Sequence, residues 1–312
     1  MSLTKDTKIY IAGHRGMVGS AVWRALEAAG YQNLIGRTSK ELDLRDQKDV
    51  QAFFITEKPD VVIDAAAKVG GILANNTYPY AFLMDNLQIQ NNLISEAHEN
   101  GIEKFIFLGS SCIYPKLAPQ PLKEEYLLTA PLEPTNEWYA IAKIAGVKAC
   151  EAIRKEFNKD FVSLMPTNLY GPNDNFDLQS SHVLPAMIRK FHEAKLAADA
   201  PVTLWGSGTP LREFLHVDDL AQAVVFALQN TLPEHLYNVG SGQELTIKDL
   251  ALLIQKEVGH QGQILWDASK PDGTPRKLLD SSKLKALGWQ PQIDLTTGVK
   301  QTYSWYLNQI NE

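Results

Sequence analysis

Short apolar runs and longer stretches with helical spacing alternate along the first half of the chain. Ile9-Tyr10-Ile11-Ala12 reads as a buried strand, and Met17 to Ala29 as a helix. Asn33-Leu34-Ile35-Gly36 predicts a second short strand and Val50 to Thr56 a helix. Val61-Val62-Ile63-Asp64-Ala65 and Lys104 to Leu108 are further strands, separated by helical spacing from Asp85 to Asn100. A long helix from Tyr139 to Phe157 leads to a sixth strand, Phe161 to Met165. Such strand–helix alternation implies βαβ units and an α/β fold with a doubly wound parallel sheet. In the second half the elements shorten and the loops gain Gly and Pro. Helical patterns recur at Val183 to Ala194, Asp218 to Gln229, Ile247 to Val258 and Gly298 to Asn308. Thr246 and Asp249 resemble a capping box for the third of these, with Asp in place of Glu.

Composition narrows the class. At a soft prior of about 150 residues per domain, 312 residues predict roughly two domains. We expect a nucleotide-binding domain over 1–170 and a smaller C-terminal substrate-binding α/β domain over 171–312, with segments such as 212–240 returning to the first sheet. Hydrophobic residues at 45% and charged residues at 21% exclude a disordered chain, a coiled coil and a disulfide mini-protein. A net charge of −6 argues against a nucleic-acid partner, so an anionic small ligand needs a local basic pocket. Two cysteines, Cys112 and Cys150, make neither a disulfide framework nor a zinc site, and no metal is expected. The polar, lysine-containing start and the lack of an apolar run of about 18 residues predict no signal peptide, no membrane span and a cytoplasmic setting.

Gly13, Gly16 and Gly19 follow the first strand and open the first helix with Met17 and Val18. Glycine permits a tight turn and close approach of backbone to a pyrophosphate, and the helix N-terminus offers free N–H groups. This pattern predicts a Rossmann-type nucleotide site, although two residues fill each gap instead of one and then two. The competing reading is a glycine turn kept for packing. The second strand ends in Gly36-Arg37-Thr38-Ser39-Lys40, where an NAD binder would place an acid. Arg37 and Lys40, with Arg15 in the loop, suit a 2′-phosphate and predict NADP(H); otherwise they are solvated loop residues.

Tyr139 and Lys143 stand four residues apart on a helix and so share a face. A nearby ammonium stabilises a phenolate and lowers the tyrosine pKa. Ser110 lies just past a strand end, where its hydroxyl can bond a substrate carbonyl or alcohol. Tyr139 would pass a proton while a nicotinamide exchanges hydride with the substrate.

These residues resemble the extended short-chain dehydrogenase/reductase family, whose members modify nucleotide sugars. The resemblance covers nearly the whole chain. It narrows to the branch acting on GDP-4-keto-6-deoxy-D-mannose through several motifs: 12–19 (AGHRGMVG), 66–72 (AAKVGGI), 109–115 (GSSCIYP), 134–137 (PTNE), 165–172 (MPTNLYGP), 205–208 (WGSG), 212–219 (REFLHVDD) and 270–277 (KPDGTPRK). It implies a bifunctional 3,5-epimerase and 4-reductase that uses NADPH to make GDP-L-fucose. Ser110, Tyr139 and Lys143 would serve the reduction, and Cys112 and His182 the epimerisations as base and acid. The resemblance also implies cofactor contacts from Gly13, Arg15, Gly16, Met17, Val18, Gly19, Arg37, Lys40, Leu108, Gly109, Lys143, Pro166, Asn168, Leu169 and His182. Lys190, Trp205, Arg212 and Asp272 would contact substrate, while Arg189 and Lys277 read equally as solvated. A homodimer through the helices 85–100 and 139–157 is implied as well. The chain departs from the pattern at Ser39, where a basic residue often stands, so Arg37 or Lys40 must supply that charge.

The chemistry is sound bottom-up. Carbons 3 and 5 flank a ketone, so their protons are acidified through an enolate, and inversion needs a base on one face and an acid on the other. A cysteine two residues after Ser110 reaches the same ring, and histidine changes protonation state near neutrality. From the residues alone, Cys112 reads sooner as a small buried hydrophobe and His182 as a polar helix start, and only the resemblance gives them these roles. A related 4,6-dehydratase would carry an Asp-Glu pair where Ser111 and Cys112 stand. A 4-epimerase has little need of the Cys112 and His182 pair. A non-catalytic NADP sensor commonly loses the tyrosine or lysine, and both are present.

Overall fold

The computed structural model describes residues 3–270 and 272–311. The first part of the chain forms β1 (Ile9–Ala12), α1 (Met17–Ala28), β2 (Leu34–Ile35), α2 (Gln47–Glu57), β3 (Val61–Asp64), α3 (Ile72–Thr77), α4 (Pro79–Glu99), β4 (Lys104–Leu108), α5 (Glu137–Phe157) and β5 (Asp160–Pro166). The remainder forms β6 (Asn168–Tyr170), α6 (Val183–Leu196), β7 (Val202–Trp205), β8 (Leu211–His216), α7 (Val217–Gln229), β9 (Leu236–Val239), β10 (Glu244–Thr246), α8 (Ile247–Val258), β11 (Ile264–Asp267), β12 (Arg276–Lys277), α9 (Ser282–Ala286) and α10 (Leu295–Asn311).

Every residue of β1, β3, β4 and β9 is buried, as expected of parallel strands covered on both faces. They join one six-stranded sheet in the order β2-β1-β3-β4-β5-β9, with parallel pairing throughout. On one face the core runs through Val22 and Leu26 of α1 and Leu220 and Val224 of α7. On the other it runs through Phe54 of α2, Leu93 of α4 and Val147 of α5. The expected Rossmann-type doubly wound sheet is therefore present. Strand order reverses between β1 and β3, and the crevice beyond their C-terminal ends is where such sheets take ligands.

After β5 the chain leaves this sheet, builds β8, and returns through α7 to supply β9. Strand β8 is the spine of a second, smaller sheet: β10 pairs with it antiparallel, and β12 and β6 pair with it parallel. Helices α6, α8 and α10 enclose a third core around Ile188, Phe191, Ile254 and Val299. This part of the sequence predicted its helices but not its strands, which are short and partly exposed. In β7, Val202 and Leu204 are buried while Thr203 and Trp205 face out.

Several boundaries move for local reasons. Helix α4 starts at Pro79 instead of Asp85, because proline in a first turn removes no needed hydrogen bond. Helix α10 starts at Leu295 instead of Gly298, and the second strand shrinks to two residues. The Thr246–Asp249 cap forms as expected: the Thr246 hydroxyl accepts from Asp249 N–H at 3.0 Å and donates to its carboxylate at 2.6 Å. No helix among the described residues is long and apolar enough to cross a membrane.

Candidate active site

The glycine loop forms a cradle at the end of β1. Gly13 adopts φ +77°, and a Cβ there would lie 2.8 Å from the Ala65 carbonyl oxygen. A Cβ on Gly19 would stand 2.1 Å from the Gly13 oxygen, so Gly19 is what lets α1 lie against the loop. Gly16 has more room and caps α1 without any side chain, and no acidic residue occupies the first turn. The N–H groups of Met17 and Val18 therefore open onto an uncapped helix terminus, the setting that suits a pyrophosphate.

At the end of β2 and in the loop facing it, the three basic residues differ. Arg37 donates to the Gly36 oxygen at 2.9 Å and pairs with Glu57 at 2.5 Å, so its charge is already engaged. Arg15 and Lys40 are exposed and make no ion pair among the described residues. Glu41, which accepts two hydrogen bonds from Thr38, adds one negative charge to the same turn.

Three strand ends bring the reactive groups together. Lys143 is buried on α5, donates to the Leu108 oxygen at 2.9 Å and lies 4.6 Å above the Phe107 ring. Its ammonium is 6.0 Å from the centre of the Tyr139 ring. Burial lowers the Lys143 pKa, and the Asp64 carboxylate opposes that fall. The Tyr139 phenol is raised, first by burial and then by the charges of Cys112 and Asp64. This corrects the expectation that the lysine would lower it: the ammonium is directed to a backbone carbonyl, and desolvation of the phenolate wins. Tyr139 thus holds its proton at neutral pH.

Asp64, which ends β3 on the same face, was not foreseen as part of this cluster. It is fully buried, accepts from Ala66 N–H at 3.0 Å through Oδ1, and leaves Oδ2 without a partner. Burial pushes its pKa up to about 6.

Beyond β4, Ser110 caps a short 3-10 turn over Ser111–Ile113 by accepting from Cys112 N–H at 3.3 Å. Its own hydroxyl hydrogen stays available to a substrate oxygen. Gly109 N–H donates to the Leu164 oxygen of β5 at 3.0 Å, and the Met165 methyl lies over the space a Cβ on Gly109 would take. Cys112 is buried, and burial raises its thiol pKa. Lys277, Ser110 and Lys143 pull it down, in that order. Cys150 is fully buried in the core, as expected.

His182 caps α6 with no side-chain bond. It reaches solvent yet is ringed by protein, and burial followed by the Lys277 charge lowers its pKa. The turn before it docks on the glycine pair after β3: Gly71 N–H donates to Ser180 O at 3.1 Å, and a Cβ on Gly71 would meet Ser181 O at 2.9 Å. Past β5, Asn168 donates to the Glu213 oxygen at 2.7 Å and Leu169 pairs with Leu215, so both are tied to β8. Pro166 ends β5.

The four substrate candidates cluster around β7 and β8. Trp205 is 55% exposed, with the Lys270 ammonium 5.5 Å from its ring. Arg212 donates to Leu211 O at 2.8 Å and Asp272 O at 3.4 Å. Lys190 reaches Thr203 O at 3.1 Å. Asp272 was expected to contact substrate. Here its carboxylate accepts from Ser207 N–H at 2.7 Å and from the Ser207 hydroxyl at 2.8 Å, which orders the 206–209 turn. Lys270 and Lys277 belong to a quoted motif, but only the folding of β12 onto β8 sets Lys277 beside Arg212. No group of three or more His, Cys, Asp or Glu among the described residues could hold a metal.

The family model for the NAD dependent epimerase/dehydratase family matches residues 9–240. A putative GDP-L-fucose synthase 2 from Arabidopsis thaliana is 61% identical over 99% of this chain and 94% of its own length. The GDP-L-fucose synthase of Escherichia coli is 54% identical, covering 96% of each chain. Among solved structures, a GDP-L-fucose synthetase from Naegleria fowleri bound to NADP superposes with a TM-score of 0.91 at 28% identity, covering 100% of this chain and 97% of that one. With the cradle at β1, the Ser110–Tyr139–Lys143 cluster and these matches together, the chain belongs to the NAD dependent epimerase/dehydratase family.

Proposed function

We propose that this chain is a bifunctional NADPH-dependent enzyme that epimerises carbons 3 and 5 of GDP-4-keto-6-deoxy-D-mannose and reduces carbon 4, giving GDP-L-fucose. The observation that carries the reading is the convergence of Ser110, Cys112, Tyr139 and Lys143 at one strand end, within reach of each other's charge.

The cradle fits the cofactor, since the α1 terminus is uncapped and Gly13 and Gly19, where a Cβ would strike backbone, let the loop turn tightly onto α1. Gly13, Gly16, Met17, Val18 and Gly19 would hold its pyrophosphate, with Arg15 and Lys40 as the free cations for a 2′-phosphate. Leu108, Gly109, Pro166, Asn168 and Leu169 would line its nicotinamide end. When bound, NADPH supplies hydride to carbon 4. Ser110 donates a hydrogen bond to the oxygen at carbon 4, and Tyr139 delivers its phenolic proton to that oxygen. The raised phenol suits a proton donor. Cys112 takes the carbon proton from one face and His182 returns one to the other, while the ketone holds the electron pair as an enolate. Lys190 and Arg212 offer charge-assisted bonds to the substrate pyrophosphate, and Trp205 a flat face.

The same reading divides the chain near residue 170 into cofactor and substrate domains, with 212–240 crossing back. It places the enzyme in the cytoplasm as a homodimer through α4 and α5, where Tyr80, Trp138 and Ile141 are exposed. Incubation with GDP-4-keto-6-deoxy-D-mannose in heavy water tests it. NADPH should be consumed faster than NADH, and GDP-L-fucose should carry deuterium at carbons 3 and 5. Product without deuterium there removes the epimerase, and a monomer in light scattering of the same sample removes the dimer.

A further inference from the structure

Lys277 has no task in the reaction as proposed, yet its position is unusual for a lysine. It ends β12, and parallel pairing with β8 sets it level with Arg212. The residue is half-buried, and its ammonium makes no hydrogen bond or ion pair among the described residues. It lines a cavity of about 30 Å³ together with Ser111, Cys112, Glu133 and Asn136. The Asn136 Oδ1 is buried there without a partner.

A half-buried ammonium with no anion beside it, facing the same small cavity as Cys112, is placed to meet a negative charge that forms during function. The groups facing Lys277 are few. Arg212 on β8 repels it. Glu133, ahead of α5, is occupied: its carboxylate accepts from Thr135 N–H at 2.9 Å and from the Thr135 hydroxyl, and pairs with Lys116 at 3.5 Å. His182 at the head of α6 lies within range of its charge. Cys112, on the turn after β4, is the remaining group able to become an anion.

We propose that Lys277 is a positioning residue for the epimerisations, supplying the counter-charge against which the Cys112 thiol ionises. This rests on Cys112 acting as the base in the function proposed above. Lys277 is the largest influence drawing the thiol down against its burial, and for His182 the same charge adds to burial, the larger cause, in lowering its pKa. In the cycle the thiol first loses its proton to water. The thiolate then takes the proton from carbon 3 or 5: the C–H bond breaks, S–H forms, and the electron pair moves to the oxygen at carbon 4. His182, protonated from solvent, returns a proton to the opposite face as the pair moves back to carbon.

The test measures the thiolate directly by its absorbance near 240 nm as pH rises, with Cys112→Ser subtracted to remove Cys150 and tyrosine signals. Lys277→Met should move the Cys112 midpoint up by about one unit or more, and Lys277→Arg should keep it near the parent. Deuterium entry at carbons 3 and 5 should fall about tenfold in Lys277→Met near neutral pH, following the loss of thiolate, with KM little changed. Where Lys277→Met fails to fold, Lys277→Gln makes the same comparison. An unmoved midpoint overturns the proposal. So does a loss confined to KM, which would make Lys277 a partner of Arg212 on the pyrophosphate. Full deuterium exchange in Cys112→Ser would instead break the base assignment itself, a failure separate from that of Lys277.

Discussion

The residues proposed for the reduction and those proposed for the epimerisations are assembled differently. Tyr139 and Lys143 stand one turn apart on α5, so helix geometry alone puts them on one face. Cys112 and His182 come from distant parts of the chain. Each is placed by a neighbour: Cys112 by the Ser110-capped turn after β4, and His182 by the docking of 180–181 against Gly71. The first pair depends chiefly on α5 and on the Leu108 carbonyl that holds Lys143. The second depends on how the loops after β3 and β5 and the strand β12 meet.

The largest expected effect separates the two centres. Tyr139→Phe removes the phenolic proton and should lower reduction by about 10²–10⁴-fold. Proton exchange at carbons 3 and 5, followed by deuterium uptake into the keto sugar, should persist. Equal loss of both would mean that the centres are not separable.

Asp64 probes the reduction side through stability. Its carboxyl, normally near 3.8, stands at about 6 in the folded chain, so the folded state binds this proton more tightly than the unfolded state. Stability from this group therefore falls as pH rises from about 4 to about 6, and the penalty persists above that. At about 1.4 kcal/mol per unit, it reaches about 3 kcal/mol at most. Asp64→Asn should raise the unfolding temperature at pH 7, with the difference closing towards pH 4. An Asn variant no more stable than the parent at pH 7 would show that Oδ2 is satisfied after all.

A smaller effect tests the long-range assembly. Gly71→Ala places a Cβ against the Ser181 oxygen and should displace His182 by a few tenths of an ångström. Deuterium exchange should fall by about tenfold, the scale of a modest misplacement, while Tyr139-dependent reduction changes less. Equal losses in both reactions would show that the loop supports the whole cleft.

The sequence was most readable where a structural reason is local. Short apolar runs bounded by turns and helical spacing read as strands covered on both faces, which is why β1, β3 and β4 were found. Gly13 and Gly19 were legible because a Cβ at either would collide with backbone. The small sheet was not, since β6, β10 and β12 are two or three residues long and exist only by pairing with β8. For the same reason Lys277 read as a surface residue: nothing in its neighbours along the chain says that β12 lies beside Arg212.

Charge followed the same division. Arg37, Lys40 and Arg15 looked equivalent for a 2′-phosphate, and the pairing of Arg37 with Glu57 depends on α2 packing beside β2. The lowering expected for Tyr139 followed from the spacing of an ammonium, but burial and the direction of the Lys143 side chain decide its value. Residue identities and short spacings determined the doubly wound fold, the nucleotide cradle and the tyrosine–lysine pair, because those depend on sterics within a few residues. Only the tertiary structure decided which charges are free, which are already paired and how deeply each is buried. Electrostatic energy depends on distance and solvent exposure through space, which order along the chain does not specify.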